Sequence, residues 1–114
     1  EKIQANLPNF PLVLHGASSV NEQTIDNINS LGGQIKKAKG VPEEMLSKAC
    51  TQFNVCKINV DTDIRMATTY ALRKHFTEQP ESVDTKTYFK AAQTDITNLV
   101  DYKICNVFNS NNKA

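Results

Sequence analysis

The sequence has 114 residues, 39% hydrophobic and 22% charged, which bounds it to one small unit with a modest core. A net charge of +1 removes any global electrostatic case for a nucleic-acid partner. No apolar run approaches the roughly 20 residues that cross a bilayer, and the opening EKIQANLPNF lacks the long apolar core of a signal peptide.

The first predicted element is a short buried strand over residues 10–15, ending on His15. The next helix begins near Asn21, which suits a cap, and Val20 with Ile25 fits a hydrophobic staple. Ile25, Ile28 and Leu31 form its apolar side, and Gly32 and Gly33 end it. A loop follows to Gly40, and its KKAK run at 36–39 reads as solvated. GVPEEMLSKACTQF is a second helix, with Pro42 at the first helical position and Glu43 and Glu44 at the positive end of the dipole. Met45, Leu46, Ala49, Cys50 and Phe53 recur at helical spacing.

A second strand is predicted over residues 55–60, with Cys56 packed in it. Asp61, Thr62 and Asp63 open a third helix with capping groups available. Ile64, Ala67, Thr68, Ala71 and His75 share one face, and His75 reads as a structural or surface residue of the last turn. Gln79 and Pro80 break this helix. Asp84 caps a long final one, where Phe89, Ala92, Ile96, Leu99, Val100 and Val107 form an apolar stripe. The tail NSNNKA is polar and expected to fray. Cys50, Cys56 and Cys105 are odd in number and make no CxxC pair, so they read as reduced thiols of a cytoplasmic protein.

Strand–helix alternation implies parallel strands with helical crossovers. Two parallel strands make a poor independent domain, because a parallel sheet needs both faces covered. The sequence therefore reads as a piece of a larger α/β unit. Both strands end in turns of small and polar residues, LVLHGASSV and KINVDTDIR, at the carboxyl ends where α/β folds place ligands. Gly16 and Ser18 allow backbone N–H groups close to an anion. Asn59, Asp61 and Thr62 offer side-chain groups beside a helix N-terminus.

PLVLHGASSV, GVPEEMLSKA and KINVDTDIRMA, in this order and at these distances, resemble the class II, metal-dependent fructose-bisphosphate aldolases, from about Pro11 onward. The resemblance implies an α/β fold, the C-terminal part of a (β/α)₈ TIM barrel with its last two strands and terminal helices; a full barrel needs about 250 residues. It implies cleavage of fructose 1,6-bisphosphate to dihydroxyacetone phosphate and glyceraldehyde 3-phosphate, in glycolysis or gluconeogenesis. His15 matches a zinc ligand, whose companion histidines lie upstream in the family together with the aspartate that acts as acid and base. The sequence holds no catalytic acid/base of its own on this reading, and as an isolated piece it is expected to be inactive. Gly16, Ala17 and Ser18 match the loop that holds the phosphate of dihydroxyacetone phosphate; Gly16 and Ser18 also match a site for a monovalent cation, Na⁺ or K⁺.

Asn59, Val60, Asp61 and Thr62 match the second substrate-binding segment, with Asp61 at the substrate hydroxyls. Arg65 matches an arginine that binds the second phosphate, in some members across a subunit boundary. The resemblance further implies a phosphorylated sugar substrate, the upstream part of the same barrel as partner, a homodimer or larger homo-oligomer, and neither nucleic acid nor membrane. Related readings are a tagatose-bisphosphate or other ketose-bisphosphate aldolase, or a non-catalytic phosphate-binding piece. Three departures stand out: Ser19 replaces a frequent Gly, Asp84-Thr85-Lys86 replaces Asp-Pro-Arg, and the loop GGQIKKAKG is long.

Overall fold

The computed structural model describes residues 1–113. The first helix, α1 (Lys2–Asn6), buries none of its residues, so no amphipathic pattern announces it. Strand β1 (Leu12–Leu14) pairs in parallel with β2 (Val55–Ile58), as strand–helix alternation requires. Both strands are shorter than the predicted 10–15 and 55–60. Leu12 lies opposite Val55, whereas Val13 lies opposite Lys57, so the ladder carries an irregularity at Cys56. The irregularity re-aims Cys56: its side chain is exposed, with Sγ 3.3 Å from the Leu12 carbonyl, and the expected packing of this thiol is not found.

Helix α2 (Glu22–Ser30) starts as expected, with the Asn21 side chain accepting from the Gln23 N–H at 2.8 Å. Ile25 and Ile28 are buried with Met66, and Val20 packs against them as the staple predicts. The lysines at 36, 37 and 39 are exposed in the following loop. Helix α3 (Glu43–Gln52) keeps Pro42 outside, at the cap, with an extended ψ of 135°. Leu46 is buried but Met45 is 62% exposed, so the apolar face is narrower than its spacing suggests. Cys50 is half-buried, and burial pushes its thiol pKa up.

Helix α4 (Thr62–Glu78) buries Asp63, Met66, Ala71 and His75, while Ile64, Ala67 and Thr68 are half-buried. His75 is structural rather than surface: Nε2 lies 2.8 Å from the Ser82 hydroxyl, and its ring packs edge-on against Phe76. Helix α5 (Thr85–Tyr102) lies along α4 and is capped by Asp84, which accepts from the Lys86 N–H at 3.1 Å. The expected continuous helix to Val107 gives way instead to a π-helical turn (Lys103–Val107), closed by the Phe108 N–H donating to the Lys103 carbonyl at 2.8 Å. Ala92 and Val107 of the predicted stripe are buried, but Phe89 and Val100 are exposed. Part of the tail is tied down, because the Asn109 amide donates to the Ser47 hydroxyl at 2.8 Å; Ala114 lies outside the described residues.

Two small cores result. Ala17, Leu46 and Val107 form one under the strand ends, with Leu14, Val41, Ile58 and Phe108 around them. Ile25, Ile28 and Met66 form the other between α2 and α4. The sheet is open on one side, where Phe10 and Val13 are about half exposed, at 54% and 46%. The radius of gyration is 16.9 Å, against roughly 13 Å for a closed domain of this length.

Candidate active site

The parallel register puts the carboxyl ends of β1 and β2 side by side, and the Asn59 N–H donates to the Leu14 carbonyl at 3.0 Å just past the ladder. The next side chains along each strand meet: Asn59 Nδ2 lies 2.6 Å from His15 Nδ1. The contact holds the exposed imidazole in one orientation and occupies one of its ring nitrogens. Residues 44 apart in sequence are thus joined across two turns.

Beyond His15 the chain turns through Gly16 at φ +63°, a left-handed conformation that suits a residue without Cβ. Ala17 is buried in the core, so only its backbone is available to a ligand. Among the described residues, the N–H groups of Gly16, Ala17 and Ser18 have no hydrogen-bond acceptor, whereas the Ser18 carbonyl accepts from the Val41 N–H at 3.1 Å. The next two amides are taken by one carboxylate: the Ser19 and Val20 N–H groups donate to Asp63 at 3.2 and 3.1 Å. Val20 is itself left-handed, at φ +46°, which is a strained conformation for a β-branched residue.

In the second turn, Val60 is half-buried, Thr62 is exposed at the start of α4, and Asp61 occupies the cap position without a capping bond from its side chain. Its carboxylate instead accepts from Arg65 Nε at 3.0 Å, one turn along the helix, with both side chains mostly exposed. Two of the sequence-derived site residues therefore hold each other.

A charged cluster underlies both turns, and sequence reasoning assigned it no role. Lys103 is 4% exposed and Asp63 7%. Lys103 Nζ donates to the Ser19 hydroxyl at 2.5 Å and to Glu43 Oε1 at 2.6 Å, and lies 3.8 Å from Asp63. Ser19 Oγ donates to Asp63 at 2.9 Å, and the Tyr102 hydroxyl donates to Glu43 Oε2 at 2.7 Å. A signal was present: Lys103 falls between Leu99 and Val107 at four-residue spacing, a cation inside an apolar stripe. Asp63 gave none, because a first-turn acid reads as a cap.

Burial raises the Glu43 carboxyl, but hydrogen bonds from Lys103 and Tyr102 more than offset this and hold it below its ordinary value of 4.5. The depressed value makes Glu43 a stabiliser above pH 4.5, and its contribution fades as pH falls through the lowered pKa. A Glu43→Gln variant is expected to unfold at lower urea than wild type at pH 7, with the gap narrowing steadily as pH falls below 4.5. A gap that does not narrow on acidification would remove the carboxylate from the explanation.

Among the described residues, no three His, Cys, Asp or Glu side chains gather to hold a metal ion. The donors present fit one corner of a metal site, the His15 imidazole, and not a complete one. No helix among the described residues is long and apolar enough to cross a membrane.

The family model "Fructose-bisphosphate aldolase class-II" matches residues 1–113. A fructose-bisphosphate aldolase of Giardia intestinalis is 45% identical over 103 residues, covering 90% of this chain and 32% of that protein. One from Treponema pallidum is 36% identical over 113 residues, covering 99% of this chain and 34% of the relative. A fructose-bisphosphate aldolase class 2 of Synechocystis is 42% identical over 90 residues, covering 79% and 25%. The chain spans about a third of the length of the first two relatives. Matched along essentially its whole length, the chain belongs to the class II fructose-bisphosphate aldolase family, whose members are metal-dependent lyases.

Proposed function

We propose that this chain is the C-terminal part of a (β/α)₈ barrel that cleaves fructose 1,6-bisphosphate reversibly to dihydroxyacetone phosphate and glyceraldehyde 3-phosphate. The observation that carries the reading is the 2.6 Å contact of His15 with Asn59 at the ends of two adjacent parallel strands. The open sheet face and the extended shape support a piece that completes itself against further barrel strands.

In this reading His15 contributes one zinc ligand, and the upstream barrel contributes the others together with the acid/base aspartate. When bound, zinc supplies Lewis-acid polarisation of the substrate ketone. The residues of this chain do the holding. The N–H groups of Gly16, Ala17 and Ser18 take the phosphate of the dihydroxyacetone phosphate half, which their lack of other partners supports. The same loop takes a monovalent cation, Na⁺ or K⁺, through Gly16 and Ser18. Asn59 orients His15 and lies at the reacting three-carbon unit, with Val60 fixing the segment from below. Asp61 meets substrate hydroxyls and Thr62 the phosphate. Arg65 releases Asp61 to bind the second phosphate, where its planar fork suits two oxygens. The working enzyme is cytoplasmic and a homodimer or larger homo-oligomer.

The test is EDTA-sensitive cleavage of fructose 1,6-bisphosphate by the full-length protein, restored by zinc. A kcat/KM for tagatose 1,6-bisphosphate above that for the fructose epimer moves the assignment to that substrate; no cleavage of either removes it. Asn59→Ala is expected to reduce kcat/KM by at least about 10–100-fold, the usual effect of losing a group that orients a metal ligand. Wild-type kinetics in that variant would deny the contact any function.

A further inference from the structure

We propose that Lys103, on the C-terminal π-helical turn, is a positioning residue for the phosphate-binding loop after β1. The inference rests on the reading of loop 16–18 as a phosphate cradle, and it concerns what holds that cradle still.

Besides the Val41 N–H on the Ser18 carbonyl, the loop is held by the charged cluster beneath it. Its Ser19 hydroxyl accepts from Lys103 Nζ at 2.5 Å and donates to Asp63 at 2.9 Å. Asp63 takes the Ser19 and Val20 amides with both of its oxygens, which pins Val20 in its left-handed conformation. Glu43 closes the ring, accepting from Lys103 at 2.6 Å. Two residues before Ser19, Ala17 packs against Val107 of the same π-helical turn. The turn therefore grips the loop twice, by charge at Ser19 and by apolar contact at Ala17. It also reaches the second strand end, because Val60, Lys103, Ile104 and Phe108 line one small apolar cavity of 70 Å³.

The electrostatics give the grip its direction. Asp63 and Glu43 would repel each other and repel an incoming phosphate; Lys103, buried between them, offsets one of their two charges and holds them together. With Lys103 in place, the amides of Ser19 and Val20 stay committed to Asp63 and those of Gly16, Ala17 and Ser18 stay free. Without Lys103, the carboxylates separate, the Ser19 hydroxyl turns, and the cradle loses its fixed shape. The effect falls on ligand binding, since Lys103 touches no reacting atom in this arrangement.

The experiment compares the full-length wild type with Lys103→Met, Lys103→Arg, Ser19→Ala and the Lys103→Met/Ser19→Ala double variant. The readouts are KM and kcat for fructose 1,6-bisphosphate, with active sites counted by zinc content. Lys103→Met is expected to raise KM about 10-fold and to change kcat per active site by less than about threefold. Lys103→Arg returns KM to within about threefold of wild type, since the charge is kept. Ser19→Ala raises KM severalfold, and the double variant is no worse than Lys103→Met, because the two act through one bond. If Lys103→Met does not fold, Ser19→Ala with Lys103→Arg still decides the matter. A wild-type KM in Ser19→Ala or Lys103→Met, or additive effects in the double variant, overturns the proposal. A wild type without aldolase activity removes the functional reading, and this inference with it; an active wild type with indifferent variants removes this inference alone.

Discussion

In the full-length protein, His15→Ala is expected to lose its bound zinc on gel filtration and to lower kcat/KM by more than about 100-fold. Groups that merely orient a metal ligand already account for about 10–100-fold in affinity or activity, and His15 is proposed as a ligand itself. The fold should not register the change. His15 is exposed, follows the last residue of β1, and hydrogen-bonds only to the half-buried Asn59 among the described residues. Surface substitutions of this kind usually stay within about 0.5 kcal/mol. Loss of metal without loss of stability separates a ligand from a core histidine, and the internal control is His75. That imidazole is buried against Ser82, Phe76 and Tyr88, so His75→Ala is a folding variant that leaves zinc content unchanged. A His15→Ala protein that retains one zinc per chain and full activity would falsify the assignment.

The two histidines show why some of this molecule is legible in sequence. A polar residue that ends an apolar run and precedes small residues marks the mouth of an α/β fold, because ligands bind where strands stop and helices begin. Both turns carry that mark. The parallel pairing that brings them together follows from the intervening helices, and the structure has it. Capping was equally readable at Asn21 and Asp84, where a short side chain meets the amide two residues on.

What escaped is what depends on distant partners. Asp63 reads as a third capping group, yet its carboxylate is spent on amides 43 and 44 positions away. Lys103 interrupts an apolar stripe, yet nothing near it names its partner, a serine 84 positions upstream. A local period marks the lysine as facing inward, but it names neither partner. Cys56 failed for a different reason: period-two alternation assumes an unbroken ladder, and one irregularity beside Leu12 turns the thiol outward. The exposed aromatic and aliphatic residues of α5 mislead in the same way. Their spacing describes a face that needs a partner, and the sequence cannot say whether that partner is in the same chain.

The contrast between Asp61 and Asp63 yields the other large effect. Asp63→Ala is expected to destabilise the full-length protein by about 3–5 kcal/mol, the usual result of breaking a buried ion pair by removing one member. The reasons are specific. The Ser19 and Val20 amides lose their acceptor, Val20 is left strained at φ +46°, and Lys103 keeps only the half-exposed Glu43 for charge. Asp61, two residues earlier, is exposed and pairs only with exposed Arg65 among the described residues, so Asp61→Ala is expected to shift stability by less than about 0.5 kcal/mol while acting on substrate selection. Urea unfolding of both variants at pH 7 checks the pair. Equal midpoints would mean that the cluster beneath the loop does not hold it. A large gap, with Asp61→Ala altering kcat/KM and Asp63→Ala altering the midpoint, divides one short motif into a carboxylate that faces the substrate and a carboxylate that builds the floor on which the phosphate loop rests.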